Sequence, residues 1–120
     1  ANADDAWRSF TTGVRTGVGV PDTIADGLRG SIGARNFELL RRHVDEVVTV
    51  SEAEIVAAMR IVLEDLKLLI EPSSAVAVAA LLSGRATRIG GQVGVILSGG
   101  NVDLDQCPFL AATRAICPSA

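Results

Sequence analysis

The run Val93-Gly94-Val95-Ile96-Leu97, followed at once by Ser98-Gly99-Gly100-Asn101, constrains this chain more than any other segment. A near-continuous aliphatic run without alternation is the pattern of a strand buried on both faces, as in a parallel sheet covered by helices. Two glycines after it end the strand and let another group come close to the backbone. Open α/β sheets bind ligands beyond the carboxyl ends of their strands. Ser98, Gly99 and Gly100 are therefore a candidate site, although the same residues also make an ordinary turn.

The rest of the chain predicts an α/β pattern. Glu46-Val47-Val48-Thr49-Val50 reads as a strand by its β-branched content. Ser51, with Glu54 three residues on, forms a capping box, each side chain satisfying the other's orphaned backbone N–H. Ile55, Ala58, Met59, Val62, Leu63, Leu66 and Leu69 continue at helical spacing. A second helix starts at Pro72 and runs to Gly84, with small residues suited to close contact with a sheet. Earlier, Asn2 to Thr12 opens as a helix, Thr16 to Pro21 is turn-like, and Ile24 to Gly33 is a loop or short helix. Phe37, Leu39, Leu40 and Val44 mark a short helix. Arg85 to Gly91 is a polar loop, and a helical tail is expected from Asp105. A free-standing doubly wound sheet has roughly four or five strands. With only two evident here, the rest of the sheet is expected from outside this chain.

Composition removes several classes of function. The 120 residues are 48% apolar with a net charge of −3, and the pI is about 5.0. That balance lacks the clustered cations that nucleic acid requires, so no nucleic-acid partner is expected. No apolar run approaches the roughly 20 residues of a membrane span, so no membrane is expected either, and a cytoplasmic location is. Cys107 and Cys117 have no CxxC partner and no neighbouring His, which argues against zinc and reads as two free thiols, with a disulfide as the alternative. Lys67 is the only lysine, leaving one candidate for Schiff-base chemistry.

Other constellations are ambiguous by residue type. Glu71-Pro72-Ser73-Ser74 joins two helical segments and sets a carboxylate before a helix N-terminus. Asn2, Asp4 and Asp5 offer hard oxygens suited to Mg²⁺ or Ca²⁺, or equally a solvated helix start. His43 sits at the end of an arginine-rich helix, where a cation is favoured, and reads as a cap and not a ligand. Gly17 to Val20 precedes no helix, and Gly90-Gly91 comes before its strand. Neither is a phosphate cradle, and a half-Rossmann domain fails for want of a strand–GxGxxG–helix unit.

Taken in order, NADD, PDTIADGL, VDEVVTVSEAEI, KLLIEPSSA and VILSGGNVDL resemble the C-terminal half of serine racemases and serine/threonine dehydratases, from Asn2 to Leu104. The resemblance implies part of a fold-type II pyridoxal-phosphate (PLP) domain, three-layer and tryptophan-synthase-β-like, with a mostly parallel sheet. It implies that Ser98 meets the pyridine nitrogen and that Gly99 and Gly100 let the ring sit close. Gly27 would lie beside the cofactor and Glu71 near the ring edge. A Mg²⁺ or Ca²⁺ site would use the carbonyl of Ala3 and the carboxylate of Asp5, with a further carboxylate upstream. The family's Schiff-base lysine, its asparagine beside the phenolic oxygen and its phosphate loop match nothing here. Lys67 matches a helix lysine and is expected to lie along Leu66 and Leu68.

The whole of residues 1–120 is thus expected to be the C-terminal portion of the catalytic domain, inactive alone. The expected activity of the parent is β-elimination of L-threonine or L-serine to a 2-keto acid and ammonia. Serine racemisation and 3-hydroxyaspartate dehydration are the alternatives. Expected partners are the hydroxy-amino-acid substrate, the remainder of the catalytic domain and a second copy in a homo-oligomer. The short stretch after Leu104 resembles the catabolic-type enzymes, which have no effector module. A non-catalytic binding or oligomerisation module on the same half-fold is the reading from another class.

Overall fold

A computed structural model describes residues 3–17 and 19–110. The expectations placed on Asn2, on Cys117 and on the tail beyond Leu110 lie outside the described residues. The helices are α1 (Asp5–Thr12), α2 (Ala34–His43), α3 (Glu52–Ile61) and α4 (Pro72–Leu82). Single 3₁₀ turns form at Asp26–Leu28 and Leu104–Gln106, and a π-helical turn at Val62–Leu66.

Helix α1 carries Asp5 in its first turn, where the positive end of the dipole favours it. It stops at Gly13, whose left-handed φ of 72° is cheap for glycine alone and lets its N–H reach the Ser9 carbonyl at 2.9 Å. Arg41 of α2 ties the two helices together, donating to the Gly13 carbonyl at 3.3 Å and lying over the Phe37 ring. The basic last turn of α2, Arg41, Arg42 and His43, matches its negative dipole end.

Helix α3 begins with the expected capping box. The Glu54 N–H donates to Ser51 Oγ at 3.3 Å, and the Ser51 N–H donates to Glu54 Oε2 at 2.6 Å. Ile55, Ala58, Met59 and Val62 are buried as their spacing predicts. Each of the large ones contributes about 1.5–3 kcal/mol relative to exposure. The stripe then fails. Wider π-turn hydrogen bonding from Val62 shifts the rotation per residue, Lys67 turns left-handed at φ 59°, and Leu66 and Leu69 face solvent. The Lys67 amine donates to the Glu64 carbonyl. It closes the turn locally and does not shelter along buried leucines, since Leu66 and Leu68 are themselves exposed.

Helix α4 has Pro72 at its first position and ends at Ser83, followed by Gly84 at φ 67°. It lies against α3, and Ala58, Ala75 and Ala79 are almost fully buried in one cluster with Ala25, Val50, Ile70 and Cys107. Cys107 is a free, buried thiol.

The two expected strands are the main correction. Among the described residues there is no strand, so Glu46–Val50 and Val93–Leu97 form no ladder and the parallel sheet is not seen. A strand is defined by its partner's N–H and C=O groups, which β-branched content cannot supply. The expectation that residues 93–97 are buried on both faces also fails: Ile96 is 82% exposed. Instead, Val50 and Leu97 pack on the helix pair. Side chains anchor the neighbouring 85–88 loop. Glu46 accepts from Thr87 N–H and Oγ1, both at 2.9 Å, and Arg85 pairs with Glu54 at 2.9 Å. No described helix is long and apolar enough to cross a membrane.

Candidate cofactor site

The α4 N-terminus organises the site, because the residues before and after Pro72 reach two distant segments. Toward residues 98–101, the Glu71 N–H donates to the Gly99 carbonyl at 3.0 Å. Its carboxylate Oε2 accepts from the Asn101 N–H at 3.2 Å. Both bonds require close approach, and the glycines permit it. A β-carbon at Gly99 would lie 3.0 Å from the Glu71 carboxylate, and one at Gly100 only 2.7 Å from the Leu69 carbonyl oxygen. The sequence predicts these glycines as room for a ligand. The structure gives them a further reason, which is to seat this segment on the chain leading into α4.

Ser98 begins that segment and is exposed. Its hydroxyl makes no hydrogen bond within the described residues. Glu71, half-buried beside Gly99, has one carboxylate oxygen committed to Asn101. A free hydroxyl at Ser98 can donate one hydrogen bond to, or accept one from, a bound group.

Toward the 26–28 turn, Ser73 Oγ accepts from the Gly27 N–H at 2.9 Å and lies 3.2 Å from Asp26 Oδ1. Gly27 also donates to Asp26 Oδ1 at 2.8 Å, and a β-carbon there would fall 2.9 Å from Ser73 Oγ. Gly27 is thus tied to the same helix start as Gly99. A cleft of about 350 Å³ opens beside this junction between Asp26, Pro72, Asn101 and Asp103. Sequence reasoning assigned nothing to Ser73, Asp26 or the Asn101 N–H, because their role depends on contacts 30 to 47 residues away. The only sequence signal was the hydroxyl directly after Glu71-Pro72.

Ala3 and Asp5 share a cleft of about 250 Å³ with Gly27 and Ile32. Asp5 is buried and its Oδ2 accepts the Ile32 N–H at 2.9 Å, pinning the loop before α2. Asp4 pairs with Arg8 at 2.9 Å. Among the described residues no three His, Cys, Asp or Glu side chains converge on one point. Mg²⁺ and Ca²⁺ take about six to eight oxygen ligands. Ala3 and Asp5 do not by themselves make such a site, and no Mg²⁺ or Ca²⁺ chemistry is derived from them.

Ser98 and the two glycines after it thus lead into a segment tied to the start of α4 through Glu71. The chain belongs to the pyridoxal-phosphate dependent enzyme family, whose sequence model matches residues 1–99. The chain is 44% identical over 107 residues to the β-hydroxyaspartate dehydratase of Paracoccus denitrificans, covering 89% of this chain and 34% of that protein. It is 45% identical over 107 residues to the serine racemase of Arabidopsis thaliana, covering 85% and 32%. Among solved structures, it superposes on a T.th. threonine deaminase with a TM-score of 0.78 at 40% identity, covering 85% and 38%. Maize serine racemase gives a TM-score of 0.80 at 39% identity, covering 86% and 33%. The chain spans about a third of the length of these relatives. The likeness carries the fold-type II PLP assignment.

Proposed function

We propose that this chain supplies the pyridine-nitrogen side of the site in a PLP enzyme that acts on β-hydroxy-α-amino acids. The reaction is β-elimination of L-threonine or L-serine to a 2-keto acid and ammonia. The observation that carries this reading is the exposed Ser98 hydroxyl on a segment fixed to Glu71 by main-chain and side-chain hydrogen bonds. PLP, when bound, supplies the electron sink that stabilises negative charge at the substrate α-carbon.

The chain's own residues set the terms of that chemistry. Ser98 Oγ would hold the ring nitrogen of PLP by donating a hydrogen bond to it, whereas a carboxylate there would keep that nitrogen protonated. The neutral hydroxyl favours elimination and racemisation over transamination. Glu71 keeps residues 98–101 in place through the Asn101 N–H. Gly27 presents its backbone from the opposite turn, fixed by Ser73. The catalytic lysine and the substrate-carboxylate loop are assigned to the remainder of the catalytic domain. The working enzyme is read as a cytoplasmic homo-oligomer.

A second reading, serine racemisation or 3-hydroxyaspartate dehydration, is favoured by the names of the relatives at 44–45% identity. One experiment separates them. The enzyme containing this chain is supplied with PLP and assayed on L-threonine, L-serine and L-threo-3-hydroxyaspartate, following keto acid, ammonia and D-serine. Keto acid from threonine and serine is expected. D-Serine without keto acid, or turnover of hydroxyaspartate alone, selects the second reading. No PLP binding and no turnover would sink both.

A further inference from the structure

The two segments of the site lie far apart in sequence, yet both are tied to the short stretch Glu71-Pro72-Ser73. On one side are the two Glu71 bonds to Gly99 and Asn101. On the other, Ser73 Oγ takes the Gly27 N–H at 2.9 Å and sits 3.2 Å from Asp26 Oδ1, to which only the hydroxyl can donate. The Gly27 N–H is shared with that same carboxylate oxygen at 2.8 Å. Asp26, Gly27 and Ser73 therefore close a three-membered hydrogen-bonded ring. Gly27 has no side-chain room there, since a β-carbon would lie 3.2 Å from the Ser73 β-carbon. Pro72 sits between the two anchors with its φ fixed by the ring.

We propose that Ser73 is a positioning residue, whose hydroxyl locks the Gly27 backbone to the start of α4 so that the 26–28 turn and residues 98–101 present themselves to the cofactor as one rigid body. The inference deepens the PLP reading and rests on it for its functional half.

The test uses the full chain and two readouts. Residue-resolved amide exchange tests the clamp without any cofactor. Ser73→Ala is expected to speed exchange at Gly27 about ten-fold, the loss of one hydrogen bond. Glu71, bonded to Gly99, should keep its rate, and Ser73→Thr, which retains a hydroxyl, should restore Gly27. An unchanged Gly27 rate in Ser73→Ala overturns the proposal. So does equal acceleration at Gly27, Glu71 and Ala79, which reports a loosened helix and not a released turn. The second readout is the dissociation constant for PLP in the assembled enzyme. It is expected to rise about ten-fold in Ser73→Ala and return in Ser73→Thr. Equal affinity in all three overturns the positioning role. Fast Gly27 exchange together with no PLP binding by the unmodified enzyme would sink the cofactor reading instead, with the clamp upheld.

Discussion

The carbonyl oxygen of Leu69 lies 2.7 Å from where a β-carbon would stand on Gly100. That is main chain against main chain, so no rotamer change relieves it. Gly100→Ala is therefore expected to lower unfolding free energy by about 1–3 kcal/mol. Gly99→Ala, which meets the Glu71 carboxylate at 3.0 Å, should cost less because that side chain can yield. Urea unfolding of the full chain checks both, and an unshifted midpoint for Gly100→Ala contradicts the close approach.

Ser98→Ala should leave stability unchanged, because the hydroxyl is exposed and holds no described partner. It should weaken PLP binding in the assembled enzyme about ten-fold, the worth of one hydrogen bond. Fluorescence titration with PLP reads this directly. Wild-type affinity in the variant would remove Ser98 from the site.

Acid should release the 85–88 loop. The Ser51 N–H and hydroxyl, with Arg85 after them, hold the Glu54 carboxyl down to about 2 from an ordinary 4.5. Thr87 holds the Glu46 carboxyl below its usual range. A depressed carboxyl pKa contributes stability that is full above the unfolded value, and that stability is lost as pH falls through the folded one. Thermal midpoints should fall between about pH 4.5 and pH 2. In Glu54→Gln the slope over that window should shrink. An identical slope in the variant means the carboxylate does not carry the effect.

Lys67 is the only lysine, and its amine is turned onto the Glu64 carbonyl at the end of the π turn. Mixing this chain with PLP and reducing with borohydride should leave no stoichiometric adduct on Lys67. Intact-mass measurement after reduction decides it, and a full adduct at that position would falsify its structural role.

Much of this arrangement was legible in the sequence wherever the cause was local. Ser51 and Glu54 fix a helix start within four residues, and Pro72 and Gly84 bracket α4 with residue types suited to those positions. The glycines after residue 97 marked the segment that comes close to Leu69 and Glu71. What could not be read depends on partners. Residues 46–50 and 93–97 have strand composition but no ladder among the described residues. The π turn interrupts a stripe whose residue types still spell helix to Leu69. Ser73 looked like any first-turn serine until the fold brought Gly27 to it.

The contact between α3 and α4 has a mechanical consequence. Ala58, Ala75 and Ala79 meet there with no side-chain torsions to rotate, since alanine has no rotamers to give up. Ile55, Met59 and Val62 of the same cluster add longer side chains around those methyl groups. A displacement of residues 98–101 would pass through the Glu71 hydrogen bonds to the start of α4. The alignment of Gly99 and Asn101 therefore follows the placing of α4.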